Sequence, residues 1–305
     1  MPPGLPAEMT AERPLVGYLG PAGTFSEEAL LASGAPDALE PRPLASIRDT
    51  VEALRSGEVS WAVVPIENSL EGSIDVTLDL LAGEAADVEI VGEALLRVRH
   101  SLIAAEPVSL EEIETVMSHP HVPGQCALFL GRELPHARML PASSTAEAVR
   151  AVVAAGRRDR AALGTLLAAG IYGATVIREG VEDREDNATR FVWLGRTGHG
   201  EAPPLRDGEA GDWKLSLVFW GPGAERPGWL VRCLDEFGRR DINMTKIESR
   251  PRRQELGSYM FFADLAGRVG EAPVEEALAG IRELCDEVRV LGSYRAAPKP
   301  ERLRS

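Results

Sequence analysis

Thr189 and Arg190 stand side by side where a polar turn, Asp186-Asn187-Ala188, runs into an apolar stretch, Phe191 to Leu194. A strand entering a core there would hold both residues at its start. Arg keeps its charge and presents a fork of donors matched to a carboxylate, while a Thr hydroxyl both donates and accepts a hydrogen bond. Together they suit an anionic substrate. In most proteins, however, Thr-Arg at a strand start is only β-branched propensity beside a solvated charge, so the pair needs support from other stretches.

Upstream stretches supply it. The apolar run Trp61 to Val64 delivers Glu67, Asn68 and Ser69, a carboxylate, an amide and a hydroxyl in a row with Gly72 close behind. Ligands of open α/β sheets gather at such strand ends. Leu15 to Leu19 leads into Gly20-Pro21-Ala22-Gly23-Thr24-Phe25-Ser26 and then Glu27-Glu28, a strand, glycine turn and helix start that reads as a carboxylate-binding loop or as a tight turn capped by Ser26. It lacks both the Gly-Lys-Ser/Thr of a P-loop and the Gly-x-Gly-x-x-Gly of dinucleotide folds. Ser118-His119-Pro120 ends a short strand before a helix bearing Gln125 and Cys126, and His119 has no neighbour that would make it more than a turn histidine. Ser144 and Glu147, around Thr145, form a capping box, which accounts for Ser144 without function.

Composition narrows the partners. The 305 residues carry a net charge of -14 and no Lys/Arg run stands out, which argues against nucleic acid or an anionic membrane surface as a partner. The start lacks a basic and then apolar leader, and no segment approaches a membrane span, so a cytoplasmic location is expected. Three separated cysteines, Cys126, Cys233 and Cys285, indicate neither a disulfide framework nor a zinc site.

To position these residues, helix and strand patterns alternate up to residue 196, which implies α/β architecture with mainly parallel sheets in two lobes around a cleft. The expected catalytic region is 14–197, with lobe one at about 14–98 plus 177–197 and lobe two at about 99–176. Residues 198–212 are rich in Gly and Pro and read as a linker. From 213 to 295 the order β-α-β-β-α-β is ferredoxin-like.

Taken together, the motifs Gly17-Tyr18-Leu19-Gly20-Pro21-Ala22-Gly23-Thr24-Phe25-Ser26, Val64-Pro65-Ile66-Glu67-Asn68-Ser69, Ser118-His119-Pro120 with Gln125-Cys126, Ser144-Thr145-Ala146-Glu147, Thr189-Arg190-Phe191 and Ile247-Glu248-Ser249-Arg250-Pro251 resemble the prephenate dehydratase family from Val16 to Tyr294. The resemblance implies a catalytic region like periplasmic binding proteins, followed by an ACT regulatory domain, in a homodimer or homotetramer. It implies conversion of prephenate to phenylpyruvate, water and carbon dioxide, with phenylalanine as effector and no metal or organic cofactor. It casts Thr189, Glu67, Asn68 and Gln125 as catalytic, with Thr189 donating to the departing hydroxyl. Thr24, Ser69, Ser118, Ser144, Thr145 and Arg190 would bind substrate. Gly228, Trp229, Leu230, Asn243, Glu248, Ser249, Arg250 and Pro251 would hold the effector. His121 stands where many relatives carry Gln, and Trp229 replaces a small residue, acting either as a lid or anchor or as a plug that narrows the pocket. Arogenate dehydratase and a non-enzymatic amino-acid sensor are the rival readings.

Overall fold

The computed structural model describes residues 13–198, 202–206, 211–223, 226–252 and 257–298. Its first sheet has the order Glu40–Leu44, Leu15–Leu19, Trp61–Asn68, Ala188–Arg196, Val88–Arg97, with the short Gly72–Ser73 strand folded back on Trp61–Asn68. The second has the order Thr175–Arg178, Ser101–Ala104, Arg160–Gly164, Thr115–Ser118, Arg138–Pro141. Both sheets are mixed, not mainly parallel. Ala188–Arg196 runs antiparallel to both of its neighbours, and Ser101–Ala104 does the same in the second sheet. The alternating pattern specifies elements but not the direction in which a crossing strand re-enters. Thr175–Arg178 pairs within the second sheet, so the chain returns to the first near Ala188, later than the expected residue 177.

Local chemistry starts and stops the helices. Ser46 accepts from the Asp49 amide at 3.0 Å to open Ile47–Ser56, and Gly57, at φ 80°, closes it. Ser144 does the same for Thr145–Ala155, accepting from the Glu147 amide at 3.0 Å. Among the described residues, no helix is long and apolar enough to cross a membrane.

The C-terminal unit is a four-stranded antiparallel sheet in the order Met244–Pro251, Tyr259–Ala266, Trp213–Trp220, Glu287–Arg295, with the helices Trp229–Gly238 and Ala272–Leu284. Alternation along Trp213–Trp220 sends Leu215, Leu217 and Phe219 into the core with those helices. Val218 faces the other way, and with Met260, Phe262, Leu291 and Tyr294 it shares one core with Ile66, Leu78, Ile90, Val192 and Leu194 of the first lobe. A Cβ at Gly292 would run into the Ile90 carbonyl. Thus the unit is packed onto the first lobe rather than hung from it. Of the expected linker, 199–201 and 207–210 lie outside the described residues; Pro204 and Arg206 bond to the backbone at Ala35 and Gly34 of the first lobe.

Candidate active site

Trp61–Asn68 continues past Val64 to include Glu67 and Asn68, which the sequence placed in the following loop. Its register against Ala188–Arg196 sets Thr189 opposite Asn68 and Arg190 opposite Glu67, with an irregularity just before Phe191, where Pro65 stands opposite and has no N–H to donate. Successive side chains on a strand leave opposite faces. Thr189 therefore lies on the face of Phe191 and Trp193, while Arg190 shares the face of Val192 and Leu194. The two motif residues cannot serve one ligand.

On the Thr189 face the polar groups form a chain of defined polarity. Asn68 Oδ1 accepts from the amides of Leu70 and Glu71 at 2.9 and 3.0 Å, which fixes the side-chain orientation and aims Nδ2 inward. That nitrogen donates to Thr189 Oγ1 and to Asn187 Oδ1, both at 2.9 Å. Asn187 Nδ2 donates to Gln125 Oε1 at 3.1 Å, and Gln125 Nε2 donates to Glu71 Oε1 at 3.0 Å. Asn187 is 1% exposed and Thr189 and Asn68 are each 9% exposed, whereas Glu71 and Ser69 are exposed, so the chain runs from interior to solvent. Gln125 comes from the second lobe and the others from the first strand pair and its flanks, so the cluster bridges the lobes. Ser69 Oγ accepts from the Ala188 amide at 3.0 Å and closes the turn beside it.

His100 Nε2 lies 3.2 Å from Gln125 Oε1, an atom that only accepts, so this nitrogen carries the ring proton. Its Nδ1 is a buried lone pair without a partner among the described residues. Burial lowers the His100 pKa, and the Gln125 bond and Glu182 charge only partly oppose it. Because the folded pKa lies below the unfolded value of about 6.5, the unfolded chain takes up the proton first as pH falls. We expect melting temperature to drop between pH 7.5 and 5.5, and to drop less in His100→Gln. Equal slopes for the two proteins would remove His100 as the cause.

Asn187, Glu71 and His100 were not anticipated. Asn187 had a signal, since it stands two residues before Thr189 and strand alternation puts it on the same face. Several expected substrate contacts are instead satisfied by the fold. Thr24 Oγ1 donates to the Leu19 carbonyl at 2.9 Å, Ser118 Oγ donates to the Leu163 carbonyl at 3.3 Å, and Ser144 is the helix cap already noted. Thr145 is 7% exposed at the start of that helix. In the glycine loop the Gly23 amide donates to the carboxylate of Glu27 at 2.5 Å, so an internal carboxylate occupies this anion position. Thr165 and Tyr172 of the second lobe donate to the carbonyls of Gly23 and Ala22 at 2.7 and 2.8 Å. The loop thereby ties the lobes together, and Gly23, at φ 87°, has no room for a Cβ beside Ala168.

Arg190 and Glu67 require correction as substrate-binding and catalytic residues. Arg190 Nε meets Glu93 at 2.8 Å, Nη1 meets Asp264 at 2.6 Å, and Nη2 donates to the Tyr294 hydroxyl at 2.7 Å. Glu67 lies 3.5 Å from Arg190 and 3.2 Å from Lys246, on the side facing the C-terminal unit. Glu71, not Glu67, is the carboxylate that reaches Gln125.

A separate pocket of about 650 Å³ lies in the C-terminal unit, lined by Gly228, Trp229, Leu230, Arg226, Arg252 and Asp286 among others. Trp229 is 3% exposed, packs against Phe219 and Phe261, and donates from Nε1 to the Leu284 carbonyl at 2.6 Å. It is a wall built into the core rather than a lid or a plug. The expected effector residues Asn243, Glu248, Ser249, Arg250 and Pro251 do not line this pocket. Glu248 bonds Ser73 and Arg250 pairs with Asp75 and Asp79, all in the first lobe. Ser249 and Pro251 stand opposite Phe261 and Tyr259, while the Asn243 carbonyl accepts from the Ala266 amide at 2.8 Å.

Two α/β lobes thus meet at a cluster of a hydroxyl and amides, groups that can hydrogen-bond a polar substrate. The chain belongs to the prephenate dehydratase family, whose model, described as "Prephenate dehydratase", matches residues 16–199. It is 41% identical over 291 residues to the prephenate dehydratase of Mycobacterium sp. (strain JLS), covering 92% of this chain and 89% of that one. The enzyme of Mycobacterium tuberculosis (strain ATCC 25618 / H37Rv) is 39% identical over 93% of this chain and 87% of its own length. Among solved structures, the Arthrobacter aurescens prephenate dehydratase in complex with L-Phe superposes with a TM-score of 0.83 at 34% identity, covering 95% of this chain and 93% of that one.

Proposed function

We propose that this chain converts prephenate to phenylpyruvate with Thr189 as proton donor to the departing ring hydroxyl, and that phenylalanine inhibits it through the C-terminal unit. In the reaction the carbon–oxygen bond breaks, the electrons of the carbon–carboxylate bond move into the ring, and carbon dioxide leaves as the ring becomes aromatic. Hydroxide is the difficult leaving group, so help consists of a hydrogen bond that strengthens as negative charge grows on it. The observation that carries the reading is the bond from Asn68 Nδ2 to Thr189 Oγ1. It occupies the hydroxyl as an acceptor and leaves its proton for an acceptor in the cleft. Asn187 and Gln125 hold Asn68 in that role. Product formation, phenylpyruvate from prephenate by absorbance and phenylalanine from arogenate by chromatography, tests the assignment: faster turnover of arogenate would reassign the substrate, and no turnover of either would leave the sensor reading.

The β-α-β-β-α-β unit at 213–295 is read as an ACT domain, with the region 14–197 as the catalytic part, acting in the cytoplasm as a homodimer or homotetramer. Support for regulation comes from the pocket at Gly228 to Leu230, where Arg226 and Arg252 offer charge for a carboxylate and Trp229 and Phe261 offer an aromatic wall, and from the L-Phe held by the Arthrobacter relative. Val231 and Tyr259 are exposed beside it, which suits a second copy. Trp229→Phe keeps an apolar wall but loses the bond to Leu284. We expect it to shift half-inhibition by phenylalanine about tenfold, roughly 1.4 kcal/mol, without changing uninhibited turnover. Full-length enzyme indifferent to millimolar phenylalanine would end the regulatory reading.

A further inference from the structure

We propose that Asp264 and Tyr294 of the C-terminal unit are positioning residues for the dehydration, holding Arg190 and through it the strand that carries Thr189. The inference rests on the reading of Thr189 given above. Arg190 follows Thr189 directly, about 3.8 Å away along the chain, so fixing one restrains the other. Its three guanidinium nitrogens are all engaged, at 2.6 to 2.8 Å, by Asp264, Tyr294 and Glu93. A planar guanidinium bound at all three nitrogens has neither a free rotation nor a free translation.

The polarity of the contacts closes a ring. Ser216 Oγ donates its one proton to Asp264 Oδ1 at 2.5 Å, so the 2.8 Å contact between Ser216 and Tyr294 must use the Tyr294 proton. Tyr294 in turn accepts from Arg190, and Arg190 returns to Asp264. Three strands of the C-terminal sheet, those of Ser216, Asp264 and Tyr294, therefore converge on one side chain of the catalytic sheet. Burial alone would raise the Asp264 carboxyl, but Arg190, Ser216 and Lys214 outweigh it and hold it below its ordinary value. Lys214 bonds Glu93 at 2.8 Å, so Arg190 and Lys214 balance Glu93 and Asp264 in charge.

The partner strand is gripped in the same way. Glu67, the neighbour of Asn68, lies 3.2 Å from Lys246, whose ammonium also donates to Ser73 at 2.8 Å. Each member of the Asn68–Thr189 pair thus has an adjacent residue anchored in the C-terminal unit. A purely structural network would affect stability alone, because breaking a buried pair leaves an uncompensated charge. A positioning network would in addition lower turnover, and would do so only by way of the Thr189 hydroxyl.

Full-length Tyr294→Phe and Ser216→Ala break the ring with little change of shape. We expect each to fold, to lower kcat on prephenate about tenfold, and to leave KM within twofold. The same substitutions placed in Thr189→Val should have no further effect, because residues acting through one another do not add. If Tyr294→Phe did not fold, Ser216→Ala would carry the comparison. Wild-type kcat in the folded single variants, or a tenfold loss that persists in full in Thr189→Val, overturns the proposal. Normal turnover by Thr189→Val itself would overturn the reading of Thr189 as well, so the two failures are distinguishable.

Discussion

Thr189→Val is expected to lower turnover of prephenate by about 100-fold or more, the scale of lost proton donation, while leaving the melting temperature close to that of the parent. The side chain keeps its β-branched shape on a strand, so packing beside Phe191 changes little. What disappears is the oxygen that accepts from Asn68 at 2.9 Å and the proton it offers to the cleft. Asn68 keeps Asn187 Oδ1 as an acceptor, which limits the cost of the orphaned donor. Thr189→Ser restores both functions and should retain much of the activity. Steady-state kinetics with calorimetry on both variants decide the matter; a Val variant that turned over normally would end the assignment of Thr189.

Arg190→Lys is expected to act chiefly on stability. Sequence alone suggests weaker substrate binding in a stable protein, because a lone charge would replace a carboxylate fork. The surroundings reverse that expectation. Arg190 is 8% exposed and serves Glu93, Asp264 and Tyr294, three directions that one ammonium cannot reach in the same geometry. Removing one partner of a buried pair costs about 3–5 kcal/mol, and Lys should lose a large part of that while keeping the charge. Urea unfolding should show the loss, with kcat reduced and KM little changed. A variant of normal stability with a raised KM would return Arg190 to the substrate.

The element pattern and helix caps were largely legible. Ser46, Gly57 and Ser144 announce their helix ends, and the β-α-β-β-α-β order predicts the C-terminal sheet. The residues of the cluster were also mostly in view, since Asn68, Gln125 and Thr189 came from the motifs. Their facing follows from strand geometry rather than from the order of the motifs: neighbours on a strand diverge, so Glu67 with Asn68, and Thr189 with Arg190, cannot share a ligand. The partners of Arg190 were not available by any local argument. They lie 97, 74 and 104 positions away: Glu93 comes from the neighbouring strand of the same sheet, and Asp264 and Tyr294 arrive only by the packing of a second sheet. Trp229 was ambiguous because a large aromatic beside a helix-opening glycine can face a pocket or a core, and here it does both.

The shared core and the Arg190 ring bear on how such a chain could be re-engineered. The stretch near Gly198 looks like a natural seam for exchanging one C-terminal unit for another. A graft cut there would carry Ser216, Asp264 and Tyr294 across but leave Glu93 and Arg190 behind, with the greasy side of a sheet lacking its counterpart. The workable boundary is not a point in the sequence but a surface through alternate residues of a single strand, on which one letter is written for the chemistry and the next for the assembly.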